Sequence, residues 1–282
     1  MQTIQDINKL RSALFDLRAG SATIALVPTM GALHAGHLAL VDAAKAHADH
    51  VVVSIFVNPK QFGPREDFSH YPRQIEKDAA LLRTHGVAML WQPSVETMYP
   101  AGFGTNVSVA KLGDGLCGAA RPGHFDGVAT VVAKLFAQVR PNVAVFGEKD
   151  WQQLAIVSRM AQDLDSDVTI VRVPIMREDD GLALSSRNAY LSTAHRQAAL
   201  ALPRALAQAA AAIAAGGDVI ATLAHARAQL KQAGFDPIDY VALVDSASLE
   251  PVYHLAGEAR LLAAAKLGST RLIDNLGVSS KK

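Results

Sequence analysis

The chain of 282 residues contains a single cysteine, Cys117, so no disulfide can form within it. Charged residues make up only 19% and the net charge is +1, which leaves no overall field to attract nucleic acid or an anionic membrane. The most apolar stretch, residues 198–215, contains Pro203 and Arg204, which predicts a packed helix instead of a membrane span. These features predict a cytoplasmic protein that binds neither nucleic acid nor a membrane.

Hydrophobic residues make up 50% of the chain, enough for the core of one large domain or two ordinary ones. In the first 175 residues, apolar runs typical of buried strands alternate with stretches of helical period. Strands are predicted at residues 23–27, 50–57, 87–91, 106–109, 143–146 and 168–173, and helices at 4–17, from 36 onward, and at 74–85, 124–139 and 151–164. This alternation predicts an α/β fold with a Rossmann-like parallel sheet and helices on both faces.

The composition changes near residue 175. Alanine-rich helices are predicted from residue 193, with a break at Gly216 and an end near Gly234. Three short strands then follow, at residues 240–244, 260–266 and 270–274. We therefore predict two domains, 1–175 and 176–282, of which the second is a smaller α+β domain.

The stretch V-P-T-M-G-A-L-H-A-G-H, residues 27–37, predicts a strand, a tight turn and the start of a helix. A helix N-terminus carries unpaired N–H groups and a partial positive charge, so it favours phosphate, and Gly31 and Gly36 allow the backbone to approach a ligand closely. His34 and His37 lie one helical turn apart and can point into one site. The alternatives are two surface histidines or half of a metal site, although no third ligand stands at a telling spacing.

Two glutamines and a lysine lie close to other turns that follow predicted strands. Gln61 can donate and accept, which suits a hydroxyl or carboxylate of a small substrate, but it can also be an ordinary loop residue. Lys149 offers a point charge to a phosphate, unless Asp150 simply pairs with it. Gln153 lies one helical turn beyond Asp150, on the same face of the predicted helix.

Hydroxyl and charged side chains form weaker signals elsewhere. Residues 184–187 contain two serines and an arginine, a combination that suits a polyphosphate and equally suits a helix-capping turn. Arg121 and His124 stand at a predicted helix start, where a surface loop is the alternative. Asp78 can reach a magnesium shell through water, and the alternative is a solvated helix carboxylate.

A literal G-x-G-x-x-G occurs at Gly113, Gly115 and Gly118. Pro122 follows almost at once, no helix opens directly from the motif, and no acidic residue stands about 20 positions later. We interpret the stretch as a flexible loop, which argues against a nicotinamide-dependent enzyme.

Taken in order, these stretches resemble the pantoate–β-alanine ligase (pantothenate synthetase) family. H-A-G-H is similar to the H-I-G-H element of class I aminoacyl-tRNA synthetases and related nucleotidyltransferases. The resemblance covers nearly the whole chain and is carried by P-T-M-G-A-L-H-A-G-H, F-V-N-P-K-Q-F, Y-P-R, R-P-G-H-F-D-G-V, F-G-E-K-D-W-Q-Q-L and G-L-A-L-S-S-R-N. Two mild departures are Trp151, where the family often has Tyr or Phe, and Lys60, where an apolar residue is common.

The resemblance implies particular site residues. Contacts to ATP are implied for Met30, Gly31, Ala32, Leu33, His34, Ala35, Gly36, His37, Gly147, Glu148, Lys149, Asp150, Met176, Leu184, Ser185, Ser186 and Arg187. Of these, His37, His34, Lys149 and Arg187 are implied to be catalytic. Gln61 and Gln153 are implied to bind pantoate, with Gln61 also near β-alanine.

The resemblance also implies the reaction and the partners. Pantoate and β-alanine would be joined with ATP through a pantoyl-adenylate, giving pantothenate, AMP and pyrophosphate. Mg²⁺ would accompany ATP without a direct protein ligand. The C-terminal domain would act as a lid, and the N-terminal domain would form a homodimer.

Two alternatives stay open from the residues alone. One is a nucleotidyltransferase that acts on another small acid or on a phosphorylated precursor, because it would share the histidine turn. The other is a non-catalytic module that binds nucleotides or tRNA, against which the near-neutral charge argues.

Overall fold

The structure is a computed structural model, and it describes residues 1–64 and 66–280. These residues form two compact units. Within the described ranges, the first unit contains residues 1–114, 121–148 and 153–174, and the second contains residues 115–120, 149–152 and 175–280. The predicted division at residue 175 remains our proposal for the domains.

The described part of the first unit is built on a parallel sheet flanked by helices. The strands are β1 Gln2–Ile4, β2 Ile24–Thr29, β3 His50–Ile55, β4 Met89–Trp91, β5 Val143–Gly147 and β6 Thr169–Val173. The helices of residues 1–174 are α1 Ile7–Leu17, α2 Ala35–Lys45, α3 Ile75–Thr84, α4 Val95–Met98, α5 Cys117–Ala120, α6 His124–Val139 and α7 Trp151–Asp163, although α5 and the first two residues of α7 belong to the second unit.

The strand order is β1-β4-β3-β2-β5-β6, and every neighbouring pair is parallel. The chain moves outward from β2 through β3 and then returns to the other side of β2 with β5. Such a reversal opens a crevice at the carboxyl ends of the strands, where ligands of open α/β sheets bind. The turns that follow β2 and β3 therefore lie at the edge of this unit that is suited to a site.

Buried apolar residues explain why these segments form a sheet covered by helices. Val27, Val53 and Val145 are fully buried in the central strands, and Val41 of α2 and Leu82 of α3 pack into the same cluster. Nearly continuous β-branched runs are typical of parallel strands that are covered on both faces. The predicted α/β fold class is confirmed.

Two local predictions for the first unit are wrong. The stretch at residues 106–109 forms no strand, and Val107 instead donates its backbone N–H to Thr130 Oγ1 on α6 at 2.9 Å. At the N-terminus, β1 takes the place of the predicted first turn of helix. Helix α1 starts only after Asp6, whose side chain accepts from the N–H groups of Asn8 and Lys9 and so caps the helix.

The described part of the second unit is an α+β structure, as predicted. Helices α8 Thr193–Ala198, α9 Ala201–Ala214 and α10 Val219–Gln232 precede strands β7 Phe235–Asp245, β8 Ala259–Leu267 and β9 Thr270–Val278. The antiparallel sheet has the order β7-β8-β9, with a tight turn at Gly268 between the last two strands. One face packs on the helices through a core that includes Leu206, Leu230, Phe235 and Leu261.

No helix within the described residues combines the length and the apolar character needed to cross a membrane. The literal G-x-G-x-x-G stretch ends in the one-turn helix α5, so the prediction of a loop without a helix is wrong at its last residues.

Candidate active site

The turn after β2 has an unusual backbone conformation. Gly31 and Ala32 both adopt positive φ, at +85° and +52°. A side chain at Gly31 would also meet Asp78 Oδ2 and Ile55 Cγ2, each at 3.1 Å from the added Cβ. Glycine is therefore favoured at residue 31 both by the backbone conformation and by the tight space around an added Cβ.

The two histidines cap the helix that begins there. His34 Nδ1 accepts from the backbone N–H of Gly36 at 3.1 Å, and His37 Nδ1 accepts from the backbone N–H of His34 at 3.3 Å. The ring centroids lie 4.1 Å apart. Because both Nδ1 atoms accept, each neutral ring carries its proton on Nε2, where it can donate to an anion. The N-terminus of α2 is thus capped by two imidazole rings, and its binding of a phosphate stays a prediction.

Asp78, on helix α3, holds this turn through hydrogen bonds to its backbone. Its carboxylate accepts from the backbone N–H groups of Ala32 at 2.8 Å and Leu33 at 2.9 Å. Asp78 as a whole is only 1% exposed to solvent. The interpretation of Asp78 as a solvated helix carboxylate is therefore wrong. A buried carboxylate that accepts two backbone bonds stabilises the strained turn. Its water-mediated contact to magnesium stays a prediction.

Gln61 lies at the end of the short 3₁₀ helix Pro59–Gln61 that follows β3. Its Oε1 accepts from Asn58 Nδ2 at 3.1 Å, and its Nε2 points at the sulfur of Met30 at 3.2 Å. The structure thus brings Gln61 next to the first residue of the histidine turn. Both lie at the edge of the first unit where the strand order reverses.

Asn58 holds the Gln61 side chain, a role that was not predicted from the sequence. It is 1% exposed, and its Nδ2 also donates to Gly127 O at 3.0 Å while its Oδ1 accepts from Tyr99 Oη at 2.8 Å. Burial raises the pKa of the Tyr99 hydroxyl, so it remains a donor. In the sequence Asn-Pro is only a turn signal, and the motif F-V-N-P-K-Q-F is the signal that could have marked Asn58.

The backbone of Gln61 is held by a charged network. Arg121 makes a two-bond ion pair with Glu66, at 2.7 and 2.6 Å, and also donates to Gln61 O at 3.3 Å. His124 Nδ1 donates to the same carbonyl at 2.8 Å, and its Nε2 accepts from Arg121 Nη1 at 2.8 Å. Arg121 and His124 of the stretch R-P-G-H-F therefore hold the short helix Pro59–Gln61, called here the Gln61 turn, in place.

Two opposing effects act on the pKa of the Glu66 carboxyl. Burial raises the pKa of this carboxyl, but the hydrogen bonds and the positive charge of Arg121 outweigh burial and lower the pKa to about 2. Glu66 is thus fully ionised at neutral pH, and the ion pair with Arg121 is present there.

The remaining candidates lie on two other segments. Gly147 ends β5 and is followed by the 3₁₀ helix Glu148–Asp150, with Gln153 on the first turn of α7. Gly147, Glu148 and Gln153 belong to the first unit, whereas Lys149 and Asp150 belong to the second.

Residues 176–187 belong to the second unit and form a compact loop. Leu184 N–H donates to Met176 O at 2.9 Å, and Ser185 Oγ accepts from the N–H of Arg187 at 3.3 Å, which caps the 3₁₀ helix Ser186–Tyr190. The cap interpretation of Ser185 therefore holds, and a contact of Ser186 and Arg187 to phosphate stays a prediction.

Within the described residues, no group of three or more His, Cys, Asp or Glu side chains could hold a metal ion. His34 and His37 instead act through their Nδ1 atoms as helix caps.

A parallel sheet with a reversal of strand order, and a glycine turn leading to a helix N-terminus at that point, define an α/β protein of the nucleotide-binding class. Residues 2–277 match the family model of Pantoate-beta-alanine ligase, and the chain belongs to this family of amide-forming ligases.

Relatives and solved structures agree with the family match. The chain is 64% identical over 278 residues to a pantothenate synthetase of Sphingopyxis alaskensis, covering 99% of this chain and 100% of the relative. It is 63% identical over 278 residues to that of Rhizorhabdus wittichii, covering 99% of each chain. The crystal structure of pantothenate synthetase from Thermus thermophilus is similar with a TM-score of 0.93 and 48% identity, covering 99% of this chain and 100% of that one.

A second solved structure carries ligands. It is the pantoate-beta-alanine ligase from Francisella tularensis complexed with beta-gamma ATP and beta-alanine, similar with a TM-score of 0.84 and 32% identity, covering 98% of this chain and 97% of that one. The predicted family, fold class and ligase class are confirmed by these comparisons. The roles of individual residues stay predictions.

Proposed function

We propose that this protein condenses (R)-pantoate with β-alanine at the expense of ATP, through a pantoyl-adenylate, and releases pantothenate, AMP and pyrophosphate. The observation that carries the proposal is the histidine-capped N-terminus of α2 at the strand-order reversal, in a chain that belongs to the pantoate–β-alanine ligase family.

In the first step, the pantoate carboxylate attacks the α-phosphorus of ATP and pyrophosphate leaves. The carboxylate is ionised at pH 7 and needs no base, so the demand on the protein is electrostatic. The Nε2–H groups of His34 and His37, at the positively polarised N-terminus of α2, supply donors to the developing phosphate charge. Lys149 and Arg187 are proposed to neutralise the leaving pyrophosphate.

Gln61 is proposed to hold pantoate. Its Oε1 is occupied by Asn58, which fixes the amide orientation and turns Nε2 toward the sulfur of Met30. A thioether is a weak acceptor, so a hydroxyl or carboxylate oxygen of pantoate is a better partner for this N–H group. Gln153 is proposed as the second pantoate residue, and Gln61 is also placed near β-alanine.

In the second step, the neutral amine of β-alanine attacks the mixed anhydride, forming the amide and releasing AMP. The adenylate hydrolyses in water, so exclusion of water at this stage protects it. The smaller C-terminal domain, with residues 184–187, is proposed as a lid for this purpose.

Magnesium is proposed to enter as the MgATP substrate. Mg²⁺ keeps several waters and prefers phosphate and carboxylate oxygens, so it does not require a cage of protein ligands. The donor chemistry of the turn fits this, since imidazole N–H groups and backbone N–H groups bind phosphate oxygens and leave the cation to the nucleotide. A homodimer formed through the N-terminal domain and a cytoplasmic location are also proposed.

The decisive experiment is exchange of labelled pyrophosphate into ATP, measured with Mg²⁺ and pantoate and without β-alanine. Exchange that depends on pantoate is expected, because adenylate formation is reversible. Product formation without such exchange would contradict a free adenylate step. The absence of both exchange and product would contradict pantoate as the substrate and favour a nucleotidyltransferase acting on another acid.

A further inference from the structure

Two adjacent residues of β9 are buried polar side chains that face in opposite directions. Asp274 is 2% exposed and Asn275 is 1% exposed. Successive side chains of a strand point to opposite faces of the sheet. Asp274 shares its face with Leu272 and Val278 of the helix-packed core, and Asn275 therefore points to the other face.

Asp274 holds the segment that leads to residues 184–187. Its two carboxylate oxygens accept from Arg177 Nη1 and Nη2 at 2.8 and 2.9 Å. Arg177 Nη1 also donates to Gly181 O at 2.9 Å, and Arg177 pairs with Ala183 in an antiparallel bridge. The Arg177–Asp274 pair thus anchors both the start and the turn of this loop.

Asn275 holds the segment that carries Lys149. Its Nδ2 donates to the backbone oxygen of Lys149 at 2.9 Å, and its Oδ1 accepts from Arg260 Nε at 2.7 Å. The Arg260 guanidinium lies 3.6 Å above the Trp151 ring, whose Nε1 donates to Ser246 O at 3.1 Å. The short segment Lys149–Gln152 is therefore clamped to this face of the small sheet by polar and stacking contacts.

We propose that Asp274 and Asn275 are positioning residues for ATP. Neither residue is proposed to contact the substrate. Asn275 acts through the backbone of Lys149. Asp274 acts through Arg177, at the start of the loop that contains Arg187. One strand thereby sets the spacing between the two cationic segments of the second unit. The inference rests on the proposed function, because it needs Lys149 and Arg187 to meet ATP.

The positions of Lys149 and Arg187 matter because the stabilisation of developing charge depends strongly on the distance to each donor. Donors stabilise developing charge only where their geometry is fixed in advance, and a displacement of about 1 Å can cost about 10²-fold in rate. Buried groups with fully satisfied hydrogen bonds supply such rigidity.

The test of the Asn275 arm is Asn275→Asp. Aspartate retains the acceptor for Arg260 but places an oxygen against Lys149 O in place of a donor. We expect at least about a tenfold rise in KM for ATP or a similar fall in the rate of pyrophosphate exchange. The KM for β-alanine should stay within about twofold of the unaltered chain, since Gln61, the residue proposed near β-alanine, lies in the other unit.

The Asp274 arm is tested by Asp274→Asn, which keeps the volume but weakens the pair with Arg177. The same selective effect on ATP is expected. The matched control is Asp218→Ala, which removes the N-cap of α10, where Asp218 Oδ1 accepts from the backbone N–H of Ala221 at 2.7 Å. Helix α10 contains none of the predicted site residues. Asp218→Ala should lower Tm without changing the KM for ATP.

A lowered Tm with unchanged KM for ATP and unchanged exchange rate in both β9 variants would overturn the inference and leave the two residues a structural role only. If Asn275→Asp does not fold, Asn275→Ser is measured instead, and the same constants decide. Failure of the unaltered chain to give either exchange or product would remove the proposed function itself, and the inference with it.

Discussion

His37 Nδ1 accepts the backbone N–H of His34 at 3.3 Å, so the second histidine of the motif completes the cap begun by the first. One nitrogen of the His37 ring thus serves the helix, and the other carries the proton that a phosphate can accept. The two functions can be separated by substitution.

Replacement of His37 by asparagine keeps an acceptor close to the Nδ1 position and removes the Nε2 donor. We expect His37→Asn to reduce pyrophosphate exchange by about 10²–10³-fold with little change in Tm, because one donor to the developing charge is lost. His37→Gln is the matched variant, since it places an amide N–H near the Nε2 position and loses the cap. For His37→Gln we expect a smaller loss of exchange rate and a larger drop in Tm than for His37→Asn. A larger rate loss in His37→Gln together with a larger drop in Tm in His37→Asn would contradict this assignment.

Replacement of Asn58 tests whether the orientation of the Gln61 amide matters. Asn58→Asp exchanges the donor to Gln61 Oε1 for an acceptor, so the amide loses its fixed orientation. We expect KM for pantoate to rise at least about tenfold while KM for ATP stays nearly constant. Tyr99→Phe is the control, because it removes a bond to Asn58 Oδ1 without touching Gln61. An equal change in both Michaelis constants for Asn58→Asp would argue against a pantoate-specific role.

Gly127 is the point where α6 touches the Gln61 turn. A Cβ at residue 127 would overlap the backbone oxygen of Lys60 and would lie 2.7 Å from the backbone nitrogen of Gln61. Gly127→Ala should therefore destabilise the protein by about 1–3 kcal/mol and raise KM for pantoate, although alanine is normally the better helix former. Gly104→Ala is the control, since its nearest neighbour would lie 3.9 Å away. Denaturant unfolding and steady-state kinetics measure both effects, and equal stability of the two variants would refute the close contact.

The Glu66–Arg121 pair predicts a pH dependence of stability. The pKa of Glu66 is lowered from 4.5 to about 2 in the folded protein, so the stabilisation is complete above about pH 4.5 and is lost as the pH falls toward 2. The difference in free energy of unfolding between the unaltered chain and Glu66→Gln should therefore shrink over this window. Urea unfolding at several pH values measures it, with Glu76→Gln on the exposed face of α3 as the control. A difference independent of pH would mean that the charge of Glu66 is not the source.

Most of the helices and strands were predictable because they depend on local periodicity. Helix α6 at His124–Val139 and the three strands at the C-terminus fall where apolar spacing placed them. The wrong strand at residues 106–109 and the missed β1 are both short segments, for which neighbours in the tertiary structure outweigh propensity.

The candidate site was predictable where its chemistry is contiguous in sequence. His34, His37 and Gly31 are marked by a motif of ten residues, because a capped helix start is a local structure. Asn58 and Asp78 were not assigned their roles, since each acts on a partner that the chain brings near only after folding: Asn58 on Gly127 O and Asp78 on the N–H groups of Ala32 and Leu33.

By itself, the sequence determined the family, most of the strands and helices, and the position of the turn at residues 27–37, because these follow from residue type and spacing along the chain. Only the tertiary structure decided which side of β2 receives β5, which buried carboxylate anchors the turn, and that Asp274 and Asn275 face two different segments from one strand. Each of these is a contact between residues far apart in sequence. They are made by burial and by the need to satisfy each buried polar group, which no local pattern records.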